Sequence, residues 1–335
     1  MAETPPDRRP LLRVEKLRVE FPTRRGTLTA VDNVSFEIGE GEVLGVVGES
    51  GAGKSITGSA IIGLIEPPGR IAGGRIYFEG SRIDDLPYEK LRHIRGKRIG
   101  TIFQDPLTSL NPLYTIGRQL TETILTHADF SAADARARAI ELLGEVGIPS
   151  PVQRMEHYPH QFSGGMRQRV VIALALCANP RLVIADEPTT ALDVSIQAQI
   201  IAVLKARCRD RGAAIMLITH DMGVIAETAD RVAVMYSGRI VEVGPLREVV
   251  KHPRHPYTVG LMGSIPSIRE KAERLTQIEG SMPRLNRIPA GCAFHPRCHE
   301  AFARCMSERP ELMTNGPSQV ACWLFDSRTG SAGHG

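Results

Sequence analysis

Residues 48–55 read Gly48-Glu49-Ser50-Gly51-Ala52-Gly53-Lys54-Ser55, the pattern G-x-x-x-x-G-K-S. The apolar run Val43-Leu44-Gly45-Val46-Val47 stands before it and a helical stretch from Ile56 to Ile65 follows, so the octet joins a strand to a helix. Glycines at such a turn let backbone N–H groups curl around phosphate oxygens, and the start of a helix adds a favourable dipole. Within that cradle Glu49, Ser50 and Ala52 are candidate nucleotide-binding positions beside the three glycines. Lys54 is suited to neutralise β- and γ-phosphates, and the Ser55 hydroxyl to hold Mg²⁺. The ordinary alternative is a glycine-rich turn before a helix, and the strand and helix on either side weigh against it.

Outward from the octet, residues from about 11 to 100 carry short β-branched runs punctuated by glycine, such as Gly74-Arg75-Ile76-Tyr77-Phe78. Between about 101 and 170 the texture is helical. There SAADARARAIELLGEVG predicts one helix, with Ser131 as N-cap and Gly147 as C-cap. From about 171 to 245 the apolar runs 182–185, 214–218 and 232–236 alternate with helical stretches. Short apolar strands separated by helices predict an α/β fold with a mostly parallel sheet covered on both faces. After Gly244 prolines become frequent, from Pro253 to Pro317, and such a segment needs a source of order other than long helices.

At 335 residues the chain has room for one large α/β domain and a smaller appendage. Apolar residues make up 42% and charged residues 23%, as in an ordinary globular protein. A net charge of +4 is too mild to argue for nucleic acid, and no nucleic-acid partner is expected. Residues 1–10, MAETPPDRRP, lack the apolar stretch of a secretion signal and read as a disordered tail. No run of about 18 apolar residues is present, so any membrane role is expected to come through a partner.

Three later segments narrow the chemistry. Residues 181–187, Arg-Leu-Val-Ile-Ala-Asp-Glu, are an apolar strand ending in two carboxylates. Asp186 can hold the Mg²⁺ water shell and Glu187 can polarise an attacking water. On a strand adjacent residues face opposite ways, which predicts that the pair divides these tasks. The plain alternative for Asp186-Glu187 is a helix N-terminus. Residues 162–168, Phe-Ser-Gly-Gly-Met-Arg-Gln, open an apolar helix that runs to Ala178, with Ser163 as N-cap. Gly164 and Gly165 leave the first N–H groups of that helix open to an anion, a second phosphate clamp better suited to a nucleotide on another chain. His220, just past an apolar strand, can hydrogen-bond a γ-phosphate, although a lone histidine there is more often a surface or capping residue.

In this order the segments resemble the ATP-binding subunit of ABC transporters from about residue 11 to 325. Gly48 to Ser55 resembles Walker A, Gln104 the Q-loop glutamine, Ser163 to Met166 the signature, and Leu182 to Asp186 Walker B. Glu187 resembles the catalytic glutamate, Ala191-Leu192-Asp193 the D-loop and His220 the switch histidine. Phe162 and Met166 depart from the commoner Leu-Ser-Gly-Gly-Gln, while Ser163 and both glycines are kept. The resemblance implies a RecA-like P-loop ATPase core over 11–250, an inserted α-helical subdomain at about 101–170, and a small irregular cysteine-rich extension over 251–335. It also implies a head-to-tail dimer with ATP and Mg²⁺ between Walker A of one chain and the signature of the other. Gln104, Ser55 and Asp186 would attend the Mg²⁺, Asp193 would lie beside the nucleotide, and Phe21 is the candidate for stacking on adenine.

The stretches 162–169, 104–112 (QDPLTSLNP), 255–258 (HPYT) and 291–298 (GCAFHPRC) resemble the dipeptide and oligopeptide importers, a pattern much of which nickel importers share. The implied function is ATP-driven peptide uptake, with nickel or another small solute as the alternative. The implied partners are a second, related ATPase subunit, two transmembrane permeases and an extracytoplasmic binding protein. The implied location is peripheral, on the cytoplasmic face of the bacterial inner membrane. A soluble ABC ATPase of DNA repair would need a long coiled coil or DNA-binding insert, and one of translation a second ATPase half; neither is seen. A regulatory module without turnover sits badly with intact Lys54, Asp186, Glu187 and His220.

Of six cysteines, Cys177 and Cys208 lie alone in apolar or helical surroundings and read as inert thiols. Cys292, Cys298, Cys305 and Cys322 cluster in the proline-rich tail, where clustering without a secretion signal favours metal over disulfides. Their spacing is not the paired C-x-x-C of most zinc ribbons. Four soft ligands suit an iron–sulfur cluster, and similar tails in the peptide-importer family are associated with [4Fe-4S]; Zn²⁺ and reduced thiols are the alternatives.

Overall fold

A computed structural model of the chain describes residues 9–189, 193–263 and 278–326. The chain divides into two compact units. One comprises Met1–Leu12, Glu37–Val43 and Tyr77–Ile218, the other Arg13–Phe36, Leu44–Ile76 and Thr219–Gly335. Most of the expected N-terminal tail, residues 1–8, lies outside the described residues.

In the first unit the strands Ile99–Ile102 and Leu182–Asp186 and residues 214–218 of Ala214–Thr219 run parallel in that order, with Ile99 opposite Leu182 and Leu182 opposite Ala214. Leu182 to Ala185 are all buried, as a strand covered on both faces requires. The helix Ala132–Glu145 starts at Ser131, whose oxygen accepts the Asp134 N–H at 3.1 Å. It ends in paired bonds from Gly147 N–H to Gly144 and from Ile148 N–H to Leu143. Its Ala135, Ala139 and Leu142 form one buried stripe at helical spacing. The helices Ile116–His127 and Gly164–Leu176 pack against it and against each other. Gly164–Leu176 stops two residues short of the expected Ala178. Cys177 and Cys208 are buried, and burial pushes their thiols up to about 11 and about 12, so both stay protonated and unreactive at neutral pH.

In the second unit the strand Leu12–Thr23 lies between Gly26–Ile38 and Arg70–Phe78. Residues 44–47 of the strand Val43–Val47 pair in parallel with Arg231–Tyr236, Leu44 opposite Arg231 and Val47 opposite Val234. Arg231–Tyr236 turns back through Ser237 and Gly238, both left-handed (φ 49° and 80°), into Arg239–Pro245. Two positive-φ residues between paired strands make the tight hairpin whose twist matches that of the strands. The helix after the octet runs Lys54–Ile61, earlier at both ends than the expected 56–65. Gly63 takes a left-handed φ of 63°, and Leu64 N–H closes back on Ser59, a C-terminal cap that ends the helix.

The proline-rich tail takes its order from strands and aromatics of the same unit. Ser318–Val320 pairs with Arg239–Pro245, and Met313–Asn315 pairs with Ser318–Val320. The rings of Tyr236, Tyr257 and Phe294 meet at centroid distances of 4.7 to 5.5 Å. Buried Glu242 accepts the backbone N–H groups of Arg254 at 3.0 Å and His255 at 2.9 Å. His255 is buried as well, and its Nδ1 accepts the Tyr257 N–H at 3.0 Å, which leaves the ring proton on Nε2.

Burial pushes the His255 pKa from 6.5 down to about 3. Below pH 6.5 the unfolded chain takes up a proton here that the folded chain refuses, so stability falls as pH drops from 6.5 toward 3. Burial raises Glu242, which acts in the opposite sense because the folded chain protonates it sooner. His255→Asn keeps an acceptor near the Nδ1 position and does not titrate. Between pH 7 and pH 5 its unfolding free energy in urea should fall by about 2 kcal/mol less than that of the wild type. An equal fall in both proteins would remove this ring as the acid-sensitive group.

Candidate functional site

Three backbone conformations shape the phosphate loop. Gly48, Gly51 and Gly53 have φ of 152°, 82° and 99°, all in the region that side chains disfavour. At Gly48 there is no room either: a Cβ would lie 2.2 Å from the Met235 carbonyl oxygen. The hairpin turn at Ser237-Gly238 supports the loop from below, with Gly238 N–H donating to Ala52 O at 2.9 Å. The Lys54 ammonium is buried and donates to Gly48 O at 2.7 Å and Glu49 O at 3.1 Å, so loop carbonyls hold the cation inside the cradle. Ser55 follows it in the first turn of the helix. The supporting role of Met235, Ser237 and Gly238 was missed in the sequence. Its available signal was a Ser-Gly pair between two apolar runs, a hairpin pattern.

In the first unit Asp186 ends its strand half-buried. Glu187 is off the strand, with a left-handed φ of 45° and its N–H donating to Ile218 O at 2.8 Å. The expectation that strand pleating parts the two carboxylates is therefore corrected. A left-handed turn, anchored on the neighbouring strand, aims Glu187. Gln104 Nε2 donates to Glu187 Oε2 at 2.9 Å, bringing two expected site residues together across 83 positions of sequence. A non-glycine residue at positive φ costs about 1 kcal/mol or more, and such strain gathers at working sites.

Ser163 caps the helix Gly164–Leu176, its oxygen accepting the Met166 N–H at 3.3 Å. Ser163 and Gly164 are exposed, and Gly165 lies against Ile196, where a Cβ would come within 2.8 Å of the Ile196 methyl. The helix thus starts at exposed residues, and a helix start carries the partial positive charge an anion seeks. Asp193 is exposed ahead of the helix Val194–Asp210, while Ala191 and Leu192 of the expected D-loop lie outside the described residues. In the second unit exposed His220 stands between the buried Thr219 and Asp221, which caps the helix Met222–Thr228. Phe21 is half-buried on Leu12–Thr23 with its ring against Gly69, in the turn beyond the Lys54–Ile61 helix.

Cys292, Cys298, Cys305 and Cys322 line one pocket, with Phe294 and Trp323 beside them. Cys292 N–H donates to Cys305 O at 2.9 Å, and burial pushes the Cys292, Cys298 and Cys322 thiols up, Cys322 to about 12. Among the described residues no three His, Cys, Asp or Glu side chains form a group that could hold a metal ion. No helix of the described residues is long and apolar enough to cross a membrane.

Comparison with known proteins identifies the family. The family profile described as ABC transporter matches residues 31–190, and the one described as oligopeptide/dipeptide transporter, C-terminal region, matches residues 241–305. The chain is 47% identical over 320 residues to the dipeptide transport ATP-binding protein DppD of Bacillus subtilis, covering 95% of this chain and 96% of that one. It is 46% identical over 302 residues to DppD of Escherichia coli, covering 90% and 92%. Among solved structures, a dimeric post-hydrolysis state of the ATP-binding cassette MJ0796 bound to ADP and Pi superposes with a TM-score of 0.64 at 29% identity, covering 70% of this chain and 99% of that one. With an ABC ATPase cassette fold and matches along nearly its whole length, the chain belongs to the ATP-binding ATPase subunits of ABC transporters, in the group that carries the oligopeptide/dipeptide C-terminal region.

Proposed function

We propose that this chain hydrolyses ATP to power uptake of dipeptides or oligopeptides through an ABC importer. The observation that carries the substrate class is a cassette and an oligopeptide/dipeptide C-terminal region in one chain, aligned nearly end to end with a dipeptide transport ATP-binding protein. Residues 48–55 cradle the phosphates, with Lys54 moving from the loop carbonyls to the β- and γ-phosphates. Hard oxygen donors at Ser55 and Asp186 suit Mg²⁺, which when bound neutralises phosphate charge. Glu187 orients and polarises the attacking water, and the 2.9 Å bond from Gln104 supports a role for that glutamine in holding the carboxylate. His220 contacts the γ-phosphate and Phe21 the adenine.

Two ATPase subunits pair head to tail, so that residues 163–166 of one and Asp193 beside them close on the nucleotide of the other. That the similar MJ0796 cassette is dimeric with ADP and Pi bound supports pairing of two subunits. The domain organisation is a cassette over 11–250, with a helical subdomain at about 101–170, and an extension over 251–335; the segment 104–112 meets the transmembrane permeases, of which the importer has two. An extracytoplasmic protein delivers the peptide, and the subunit is peripheral at the cytoplasmic face of the inner membrane. In the extension, Cys292, Cys298, Cys305 and Cys322 would hold a [4Fe-4S] cluster. Four thiols lining one pocket support it, since four soft sulfur ligands suit such a cluster. When bound, such a cluster supplies covalent cross-links to a segment with little core of its own. Four irons and four acid-labile sulfides per anaerobically purified chain are expected; zinc alone, or no metal, would overturn this assignment.

The transport reading is tested by uptake of a labelled dipeptide and of labelled nickel in source cells carrying Glu187→Gln. Loss of dipeptide uptake alone is the expected result. Loss of nickel uptake alone would keep the ATPase and transfer the protein to a metal importer.

A further inference from the structure

The phosphate loop is held from outside by residues of the C-terminal region in the same unit. Glu49 N–H donates to the Tyr257 hydroxyl at 2.9 Å, and Arg297 Nη1 donates to both Glu49 carboxylate oxygens at 3.0 and 3.1 Å. The Arg297 side chain is only 7% exposed. Its other donors are taken by Glu279 O at 2.8 Å, Ile278 O at 3.2 Å and the Tyr236 hydroxyl at 3.3 Å. The guanidinium also lies 5.9 Å from the ring centroids of both Tyr236 and Phe294. A guanidinium fixed on so many sides is a rigid donor fork rather than a mobile counter-ion.

What the fork fixes leads directly to the ammonium of Lys54. Glu49 N–H and Gly48 C=O belong to one planar peptide, so Tyr257 on the nitrogen side sets the direction of the carbonyl on the other. That carbonyl is the 2.7 Å acceptor of Lys54, and the Glu49 carbonyl is the second. Met282, from the same C-terminal stretch, lies against Gly51, its methyl 3.1 Å from where a Cβ would be. The loop is thus ordered in advance by contacts from the C-terminal region of the same unit. Ordering a loop before binding lowers the cost of binding.

We propose that Arg297 is a positioning residue for ATP: through Glu49 it sets the phosphate loop, so the C-terminal region tunes nucleotide affinity without touching nucleotide. This rests on the reading of residues 48–55 as the phosphate cradle. Steady-state hydrolysis by the full-length chain over a range of ATP concentrations tests it. Arg297→Gln should raise KM for ATP about tenfold, with kcat at saturating ATP within about twofold of wild type. Arg297→Lys, which keeps the charge but not the fork, should restore part of the affinity. Glu49→Gln should raise KM by the same factor, and the double variant no further, because both break one contact.

An unchanged KM in Glu49→Gln, multiplied effects in the double variant, or a fall in kcat at constant KM would each overturn the proposal. Should Arg297→Gln fail to fold, Glu49→Gln alone decides, since its partly exposed side chain changes charge but not shape. Lys54→Ala separates the two levels. If it binds ATP like wild type, the cradle reading itself falls. If it loses ATP while Glu49→Gln keeps its KM, the inference alone falls.

Discussion

Glu187→Gln is expected to reduce ATP turnover by at least about a hundredfold while ATP binding is retained, as for loss of a general base. The geometry explains why the two effects separate. The residue is off the strand at φ 45°, and its backbone N–H is bound to Ile218 O, contacts that glutamine keeps. Its side-chain carbonyl still accepts from Gln104 Nε2, the 2.9 Å bond that holds the carboxylate in the wild type. What disappears is the negative charge proposed to polarise water. Bound ATP then persists, and the ATPase pair should stay associated in the presence of ATP, read as an earlier-eluting species in size-exclusion chromatography. Hydrolysis at the wild-type rate would remove Glu187 from its role.

Gly48→Ala is expected to weaken ATP binding more than tenfold and to lower stability by about 2–3 kcal/mol. Two independent obstacles meet at this residue: a φ of 152°, and a Cβ position 2.2 Å from the carbonyl oxygen of Met235. Met235 is buried in the strand Arg231–Tyr236, whose backbone is paired on both sides, so the loop must move instead. Gly41→Ala is the comparison, because Gly41 has φ 67° but nothing within 4 Å of its Cβ position. It should cost about 1 kcal/mol of stability from backbone strain and leave ATP affinity unchanged. Titration with a fluorescent ATP analogue, beside urea unfolding, measures both quantities. Equal ATP affinity in Gly48→Ala and wild type would mean that the loop tolerates displacement from Met235.

Legibility in the sequence followed the range of the interactions. The strand–loop–helix at residues 43–61 could be read because an apolar run, glycines at the turn and Lys-Ser at the helix start are neighbours in the chain. Ser131 and Ser163 were readable as N-caps for the same reason: each bonds an N–H three residues on. The helix after Lys54 was drawn too long because Ile62, Leu64 and Ile65 continue an apolar pattern across Gly63. Strand pleating does not part Asp186 and Glu187 because the strand stops between them, and a left-handed residue leaves no mark in an apolar pattern.

The sequence by itself therefore determined the class of fold and the family, and it marked out the residues proposed to bear the chemistry. Glycine positions, caps and apolar periodicity act over a few residues and need no partner. The tertiary structure alone decided which of those residues meet. Gln104 reaches Glu187 across 83 positions, and Arg297 reaches Glu49 across 248. Both contacts depend on chain paths that bring distant segments side by side. In the tail a tyrosine of a cassette strand, Tyr236, completes the aromatic cluster of Tyr257 and Phe294. The physical reason is that backbone preference is set by local sterics, whereas a buried charge or ring takes its place from whatever the folded chain packs against it.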